Sequence, residues 1–277
     1  MTVSEIELDH LHIEALAAHL YKRSVAILHH NENDKPTDVS SGTCVTIAGR
    51  HFVATAGHVV KDVPIVNGTP FYRHFGIAAL GKVGLFSHAT PSVIACGWRD
   101  DDEADVGWLE IDPRAIESWT AEWERVFVPL SRFSLDPVTD KQALMLVGQP
   151  GSLVKNQTRF VGLNPQPYLA DVINDPDGDH PNDIHIVYET TMQTRGGVMA
   201  APSAKGLSGS GMWRVTKRTS SLWTPDHARL VGTQYAWSKF GEYSSSGSAN
   251  LRGSPIRYWL DLIKTDVPAL ATEIDAP

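Results

Sequence analysis

The chain has 277 residues, of which 42% are hydrophobic and 20% charged, a composition typical of globular domains and unlike that of disordered chains. Its 24 basic and 32 acidic side chains give a formal net charge of −8. This balance disfavours sequence-independent nucleic-acid binding, because such binding neutralises phosphates with Lys and Arg. We therefore expect no nucleic-acid partner.

The first 20 residues, MTVSEIELDHLHIEALAAHL, have neither a basic start nor an uninterrupted apolar run, so they do not resemble a secretory signal. No segment approaches the ~18 apolar residues that span a bilayer. The two cysteines, Cys44 and Cys96, are fewer than a secreted domain stapled by disulfides would carry. These features predict a cytoplasmic protein without a membrane partner.

A helix is predicted first, over residues 4–21, where apolar residues fall near one face and Ser4 and Glu7 form a capping box. Histidines in this helix fit a solvated polar face better than a metal site. The favoured interpretation is a helix docked on the body of the protein, and a docking or regulatory role is a further expectation for it.

Short strands are predicted from Ser24 onward, because brief apolar or alternating runs are separated by polar and glycine-bearing turns. Little helix separates them, and a sheet of βαβ units would need a helix after nearly every strand. The pattern therefore favours an antiparallel barrel or sandwich. Residues 114–125 are a short helix or an irregular connection between two halves. The strand segments are SVAIL, GTCVTIA, HFVATA, PSVIAC, ADVGWLEI, ALMLVGQ, TRFVGL, IHIVYET, SGMWRV and ARLVGTQYAW.

A second helix is predicted at the end of the chain. Ser254 is its expected cap and Pro255 suits its first position. Its apolar residues recur at helical spacing and are Ile256, Trp259, Leu260 and Ile263.

Three short motifs carry residues suited to nucleophilic catalysis: TAGH ends in His58, DVGWL begins with Asp105, and GLSGSG contains Ser208. A serine hydroxyl is a weak nucleophile near neutral pH, so an imidazole must take its proton during attack. A buried carboxylate fixes the tautomer of that imidazole. Glycines allow a tight turn to aim successive backbone N–H groups at a developing oxyanion.

Together these motifs resemble TAAH, DIAL and GDSGGP of the trypsin/chymotrypsin-like serine peptidases. The order His, Asp, Ser also matches that family and differs from the order in subtilisins and α/β-hydrolases. The resemblance covers most of residues 24–263. It implies an all-β fold of two six-stranded antiparallel β-barrels, residues 24–135 and 136–253, flanked by helical segments 1–23 and 254–277. The active site would lie in the cleft between the barrels.

The resemblance also implies roles for individual residues. His58 would be the general base, Asp105 the acid that orients it, and Ser208 the nucleophile. The N–H groups of Gly206 and Ser208 would form the oxyanion hole. Ser210 competes with Ser208 as nucleophile, and Ser208 is preferred because Gly206 lies two residues before it, as in the family. No cofactor and no metal ion are predicted.

Substrate-binding residues are implied by the same resemblance. Pro202 falls at the base of the primary pocket and offers no acid to a basic side chain, so a small or medium neutral residue is expected before the scissile bond. Tyr235, Ala236 and Trp237 fall on one pocket wall, which would pair with an extended substrate. Trp237 either narrows the pocket mouth or packs beneath the substrate with Ser238 at the mouth. Core and edge packing is the competing interpretation of Tyr235 and Trp237.

The chain departs from the family pattern at two places. Leu207 stands where many members have an Asp that pairs with a new N-terminus, so activity should not require cleavage near Ser24. The disulfide that brackets the histidine in secreted members is missing, because Val59 occupies one of its positions. Cys44 and Cys96 are expected to be buried apolar residues.

Two further segments carry residues that could bind a ligand. Residues 171–183, DVINDPDGDHPND, are rich in carboxylates that suit calcium, but their spacing does not match an EF-hand. A solvated loop is the favoured interpretation. His29 and His30 are expected to lead into a hairpin turn.

The function predicted from these motifs is a serine endopeptidase that cleaves a polypeptide, with one specific companion protein as the favoured substrate class. The alternative is a catalytically silent relative that binds an extended segment along the same strand. An esterase with the same triad is a third hypothesis, and the absence of a G-x-S-x-G elbow argues against the usual esterase fold.

Overall fold

Strands dominate the computed structural model of the chain. The structure describes residues 10–30, 36–61, 65–66, 69–70, 75–79, 93–140, 142–151, 155–157, 160–162, 166–174, 178–189, 191–194, 197–215, 223–238 and 249–276. Within these residues no helix is long and apolar enough to cross a bilayer.

The first half of the chain builds an antiparallel sheet with the strand order β6-β1-β2-β3-β8-β7, and β9 pairs in parallel with β2. The described strands follow an open path, so the closed six-stranded barrel expected for residues 24–135 is not seen in them. The strands are β1 (Ser24–His30), β2 (Pro36–Ile47), β3 (Arg50–Thr55), β4 (Ile65–Val66), β5 (Thr69–Pro70), β6 (Phe75–Ala79), β7 (Val93–Asp100), β8 (Asp105–Ile111) and β9 (Val128–Pro129). β4 and β5 pair only with each other among the described strands.

The second half forms a closed barrel of six strands in the order β10-β13-β14-β19-β18-β17, which confirms that part of the expected fold. Two short hairpins, β11-β12 and β15-β16, accompany it. The strands are β10 (Ala143–Gly148), β11 (Lys155–Gln157), β12 (Phe160–Gly162), β13 (Gln166–Ile173), β14 (Ile184–Tyr188), β15 (Thr191–Thr194), β16 (Gly197–Ala200), β17 (Gly211–Arg214), β18 (Arg229–Trp237) and β19 (Ala249–Pro255).

Strand β10 shows why an uninterrupted apolar run belongs at the centre of the molecule. Successive side chains of a strand point to opposite faces. Leu144 and Leu146 pack inside the barrel, whereas Met145 and Val147 join a cluster shared with the first half and with the helices. Both faces of β10 are therefore buried, and an alternating polar pattern would leave polar groups without water.

Helices lie at both ends of the chain, as expected. The helix α1 (His10–Tyr21) buries Leu16 and Leu20 in the shared cluster. Its predicted capping box, Ser4 with Glu7, lies outside the described residues. The shorter helices are α2 (Gly57–Val60), α3 (Ile116–Ala121), which realises the short-helix alternative for residues 114–125, and α5 (Ala271–Ile274).

The C-terminal helix α4 (Ile256–Asp266) starts one residue later than expected, which corrects two assignments. Pro255 is the residue that precedes the first helical residue, and no side chain caps the helix there. Ser254 is the penultimate residue of β19, and its hydroxyl accepts a hydrogen bond from the Asp105 N–H. His29 and His30 end strand β1, which pairs antiparallel with β2, so they lead into a hairpin connection as expected; the connection itself, residues 31–35, lies outside the described residues.

The cysteines are both free thiols. Cys44 is fully buried, as expected, and burial raises the pKa of its thiol to about 12. Cys96 is only partly buried, and burial together with the charge of Asp266 raises the pKa of its thiol to about 11.

Trp259 on α4 connects this helix to strand β8. It is fully buried, packs edge-on against Phe52, and donates from its indole Nε1 to the Gly107 carbonyl at 2.9 Å. We predict that Trp259→Ala lowers the free energy of unfolding by about 3–5 kcal/mol. Trp259→Phe should cost less, about 1–3 kcal/mol, because it mainly leaves the Gly107 carbonyl without its donor.

Urea denaturation monitored by circular dichroism measures both losses. The control is Arg257→Ala on the exposed face of α4, expected within about 0.5 kcal/mol of the wild type. A Trp259→Ala loss as small as that of the control would contradict the packing described for α4.

Candidate active site

His58 stands just past strand β3, where the chain turns sharply into α2. Glycine is required at position 57, because a Cβ there would collide with the Arg99 carbonyl and touch a carboxylate oxygen of Asp105. His58 Nδ1 lies 2.7 Å from Asp105 Oδ2, and the His58 backbone N–H donates to Asp105 Oδ1 at 3.0 Å. With Nδ1 engaged by a carboxylate, Nε2 is the ring nitrogen left to exchange a proton.

Asp105 is the buried partner in this pair. The residue is 7% exposed, whereas the His58 side chain is 36% exposed. A buried carboxylate needs hydrogen-bond donors to offset its lost hydration. The two donors from His58 supply that compensation, so the pair is a unit in which the carboxylate also fixes the ring.

Ser254 holds the backbone of Asp105. The fully buried Ser254 hydroxyl accepts from the Asp105 N–H at 3.1 Å and lies 3.4 Å from the Asp105 carbonyl, to which it donates. The C-terminal end of the barrel therefore positions the strand that carries the acid. The prediction of a helix cap at Ser254 is wrong, and this contact between residues 149 apart along the chain leaves no local signal in the sequence.

Ser208 lies in a tight turn between Ala204 and Ser210. The Leu207 N–H donates to the Ala204 carbonyl at 3.0 Å, and the Ser210 N–H donates to the Leu207 carbonyl at 2.8 Å. Gly206 and Gly209 have φ of +95° and +89°, the left-handed region that favours glycine. Leu207 is buried in the barrel core. Its apolar side chain could not form an ion pair with an N-terminal ammonium group.

Ser41 of β2 fastens this turn to the first half. Its N–H donates to the Ser208 carbonyl at 2.7 Å, and its hydroxyl donates to the Gly206 carbonyl at 2.9 Å. Thr55, the last residue of β3, donates to the Ser41 carbonyl at 2.8 Å. Because His58 follows three residues after Thr55, Ser41 links the serine turn to the strand that delivers the histidine. Ser41 is not among the site residues predicted from the motifs.

The two serines of the GLSGSG motif differ in access. Ser210 is fully buried, and its hydroxyl fills the space where a side chain on Gly148 would lie. Ser208 is partly exposed, and its Oγ makes a long hydrogen bond of 3.4 Å to the Tyr235 carbonyl. Within the described part of the chain, no hydrogen bond joins Ser208 to His58.

The backbone N–H groups of Gly206 and Ser208 are on the same turn and donate to no acceptor among the described residues. By contrast, the N–H of Leu207, Gly209 and Ser210 are all bonded within the protein. Two such donors two residues apart on one turn are suited to receive an anionic oxygen.

Among the residues expected to line the substrate pocket, Tyr235 contacts this turn through its carbonyl. The Pro202 carbonyl accepts from the Tyr188 hydroxyl, and Trp237 is 37% exposed at the end of β18. Ala236 is partly buried, and its carbonyl accepts from the Gln234 side chain at 2.8 Å. Tyr235 packs against the core of the first half, so its ring contributes to packing between the halves.

The acid-rich segment 171–183 is not a continuous solvated loop. Asp171 lies in β13, and the side chain of Asp183 is 6% exposed and accepts from the Tyr235 hydroxyl at 2.5 Å. Burial raises the pKa of Asp183. The pKa of Tyr235 is also raised, mainly by burial and then by its hydrogen bond to Asp183. The described residues contain no group of three or more His, Cys, Asp or Glu side chains arranged to hold a metal ion.

Comparisons with known proteins support the fold. No family model matches the chain, and no curated protein is detectably similar in sequence. The crystal structure of a thermostable serine protease, AL20, from an extremophilic microorganism matches with a TM-score of 0.53 at 16% identity, over 85% of this chain and 91% of that one. An inactivated protease paralogue of the scabies mite matches with a TM-score of 0.50 at 14% identity, over 90% and 97%. The chain therefore has a fold similar to that of serine proteases.

Gly209 offers a direct test of the turn. A Cβ at this position would collide with the Ser41 carbonyl and the Thr55 hydroxyl, in addition to the strain of its positive φ. Gly49 has a positive φ of +77° with nothing within 4 Å of an added Cβ. We predict that Gly209→Ala lowers the free energy of unfolding by about 4 kcal/mol or more, whereas the matched control Gly49→Ala loses only about 1–2 kcal/mol from φ strain.

Thermal and urea unfolding of the two variants measure this difference. Equal losses in Gly49→Ala and Gly209→Ala would mean that the serine turn is not packed against β2 and β3 as described.

Proposed function

We propose that the protein is a serine endopeptidase, and one observation carries this proposal: the partly exposed His58 ring lies 2.7 Å from the buried Asp105 carboxylate. An imidazole oriented by a buried carboxylate is suited to take a proton from a hydroxyl. Ser208 is the partly exposed hydroxyl of the GLSGSG turn, and Ser41 links its turn to the strand that leads to His58.

In the proposed reaction, Ser208 Oγ attacks the carbonyl carbon of the scissile peptide bond and its proton passes to His58 Nε2. The negative charge that develops on the carbonyl oxygen is stabilised by the N–H groups of Gly206 and Ser208. The bond to nitrogen then breaks, and His58 gives the proton to the leaving amine. Water, deprotonated by the same ring, hydrolyses the acyl-enzyme and restores the serine.

This reaction requires Ser208 to turn from the Tyr235 carbonyl toward His58. Such a turn is a rotation about a single side-chain bond between staggered positions. Catalytic hydrogen bonds are often long or poorly aligned before substrate binds, and the 3.4 Å contact to Tyr235 is weak enough to yield.

The proposed substrate is a polypeptide in extended conformation. Strand β18 pairs with β17 only as far as Thr233, so among the described strands Ala236 and Trp237 pair on one side alone, with β19, and Tyr235 lies between them and the end of that pairing. A substrate strand would add there through main-chain hydrogen bonds. With Pro202 at the pocket base, a small or medium neutral side chain is the proposed residue before the cut.

A catalytically silent relative that binds an extended segment is the second candidate. The observation that favours it is the orientation of Ser208, whose hydroxyl contacts Tyr235 and not His58. The same edge of β18 would serve this role without any chemistry.

A fluorophosphonate probe distinguishes these candidates, because it bonds only to a serine activated as a nucleophile. We predict that the wild type and Ser210→Ala are labelled at a single serine and that Ser208→Ala is not. Peptide mapping by mass spectrometry identifies the labelled residue. No labelling of the folded wild type at any pH between 6 and 9 would favour the silent relative, and labelling that persists in Ser208→Ala would exclude Ser208 as the nucleophile.

The role of Asp105 is tested by Asp105→Asn, which removes the charge that stabilises the protonated ring while keeping the size of the side chain. We predict a fall in kcat of about 10⁴-fold on a cleaved peptide. The control is Asp112→Asn, a carboxylate past the other end of β8 that pairs with the exposed Arg114, expected within about threefold of the wild type. A loss of less than tenfold in Asp105→Asn would leave the pair without the proposed role.

A further inference from the structure

Tyr235 occupies a β-bulge beside the serine turn. On the two sides of it, Gln234 pairs with Gly253 and Ala236 pairs with Arg252, so β18 has one residue more than β19 at this point. A bulge leaves the extra residue outside the regular ladder and changes the direction of its side chain. The backbone and side chain of Tyr235 are therefore set by contacts other than the pairing of the strands.

Tyr235 makes contacts to two different parts of the structure, one through its carbonyl and one through its side chain. Its carbonyl accepts the long hydrogen bond from Ser208 Oγ at 3.4 Å. Its side chain runs over β19, where the Arg252 guanidinium lies 5.5 Å from the ring centroid, and its hydroxyl donates to Asp183 at 2.5 Å. Asp183 immediately precedes β14, the strand on the far side of β19. The Tyr235–Asp183 hydrogen bond thus spans a strand and fastens the bulge to the next one.

The surroundings of Asp183 make this bond more than a surface contact. The carboxylate is almost fully buried, and the Tyr235 hydroxyl offsets the cost of its ionised form together with His180, His185 and Arg252. A buried hydrogen bond to a charged group is strong, and losing one partner leaves the other unsatisfied. The bond therefore resists displacement of the Tyr235 side chain, and through it of the Tyr235 backbone.

We propose that Asp183 and Tyr235 are positioning residues, whose hydrogen bond holds the bulge in β18 and thereby sets the direction of the Ser208 hydroxyl. Neither residue takes part in bond making. The kinetic consequence of this inference rests on the proposed endopeptidase function, whereas its structural consequence does not.

The kinetic test compares Tyr235→Phe, Asp183→Ala and Asp183→Asn. The first two remove the hydrogen bond, while the third keeps an acceptor oxygen at the same place without the charge. A 1 Å displacement of a reacting group costs on the order of 10²-fold, so we expect Tyr235→Phe and Asp183→Ala to lower kcat by about 10- to 100-fold, with KM within about threefold of the wild type. Asp183→Asn should retain kcat within about threefold.

The matched control is Tyr168→Phe, which removes a tyrosine hydroxyl elsewhere in the same barrel. The Tyr168 hydroxyl accepts from the Glu189 N–H at 2.8 Å. The kcat of this control should equal that of the wild type, and the free energy of unfolding of every variant is measured in parallel. Wild-type kcat in Tyr235→Phe, or an equal loss in Asp183→Asn and Asp183→Ala, would overturn the proposal.

The structural test is independent of activity. Crystal structures of the wild type and Tyr235→Phe should differ in the backbone carbonyl of residue 235, which we expect to move by about 1 Å or more, and in the Ser208 hydroxyl, which should leave it. An unchanged bulge and an unchanged Ser208 side chain would overturn the proposal. If the wild type shows no labelling or cleavage, the endopeptidase function fails while this comparison still decides the role of the Asp183–Tyr235 bond.

Discussion

A buried carboxylate at the junction of the two halves is the constraint around which this protein is arranged. Asp105 is cut off from water, so its charge must be met by donors held in place by the fold. His58 meets it with a ring nitrogen and a backbone N–H, and Ser254 fixes the strand beneath it. The same contacts that make the charge tolerable orient the imidazole, so folding and the proposed chemistry depend on one set of atoms.

The site also depends on contacts that cross between the halves. Ser41 of the first sheet binds the Ser208 turn, while Ser254 and Trp259 from the end of the chain bind β8 of the first sheet. Residues of each half therefore hold site elements of the other half in place.

Much of the fold could be predicted from the sequence, because strands such as β8 and β10 carry apolar residues on both faces. Two barrel strands escaped prediction for physical reasons. β19, with Asn250 and Arg252, becomes buried only when β14 and β18 flank it, and β13 contains Pro167 and Asp171, which disfavour a strand locally. The end of β19 was mistaken for a helix start because Ser254-Pro255 has the residue types of a cap.

The candidate site divides in the same way. His58, Asp105 and Ser208 could be predicted as candidates because short motifs carry them. Ser41 and the Tyr235–Asp183 bond could not, because Ser41 acts across the interface and Asp183 lies 52 residues from Tyr235 along the chain. Contacts of this kind depend on a bulge and on the order of strands in the barrel, neither of which leaves a local pattern.

The most direct measurement of the central claim is a crystal structure of the protein after reaction with a peptidyl phosphonate. The account predicts continuous electron density between Ser208 Oγ and phosphorus, His58 Nε2 within hydrogen-bond distance of that oxygen, and a phosphonyl oxygen about 3 Å from the N–H groups of Gly206 and Ser208. A covalent bond at another residue, or an adduct on Ser208 whose oxygen points away from both N–H groups, would contradict it.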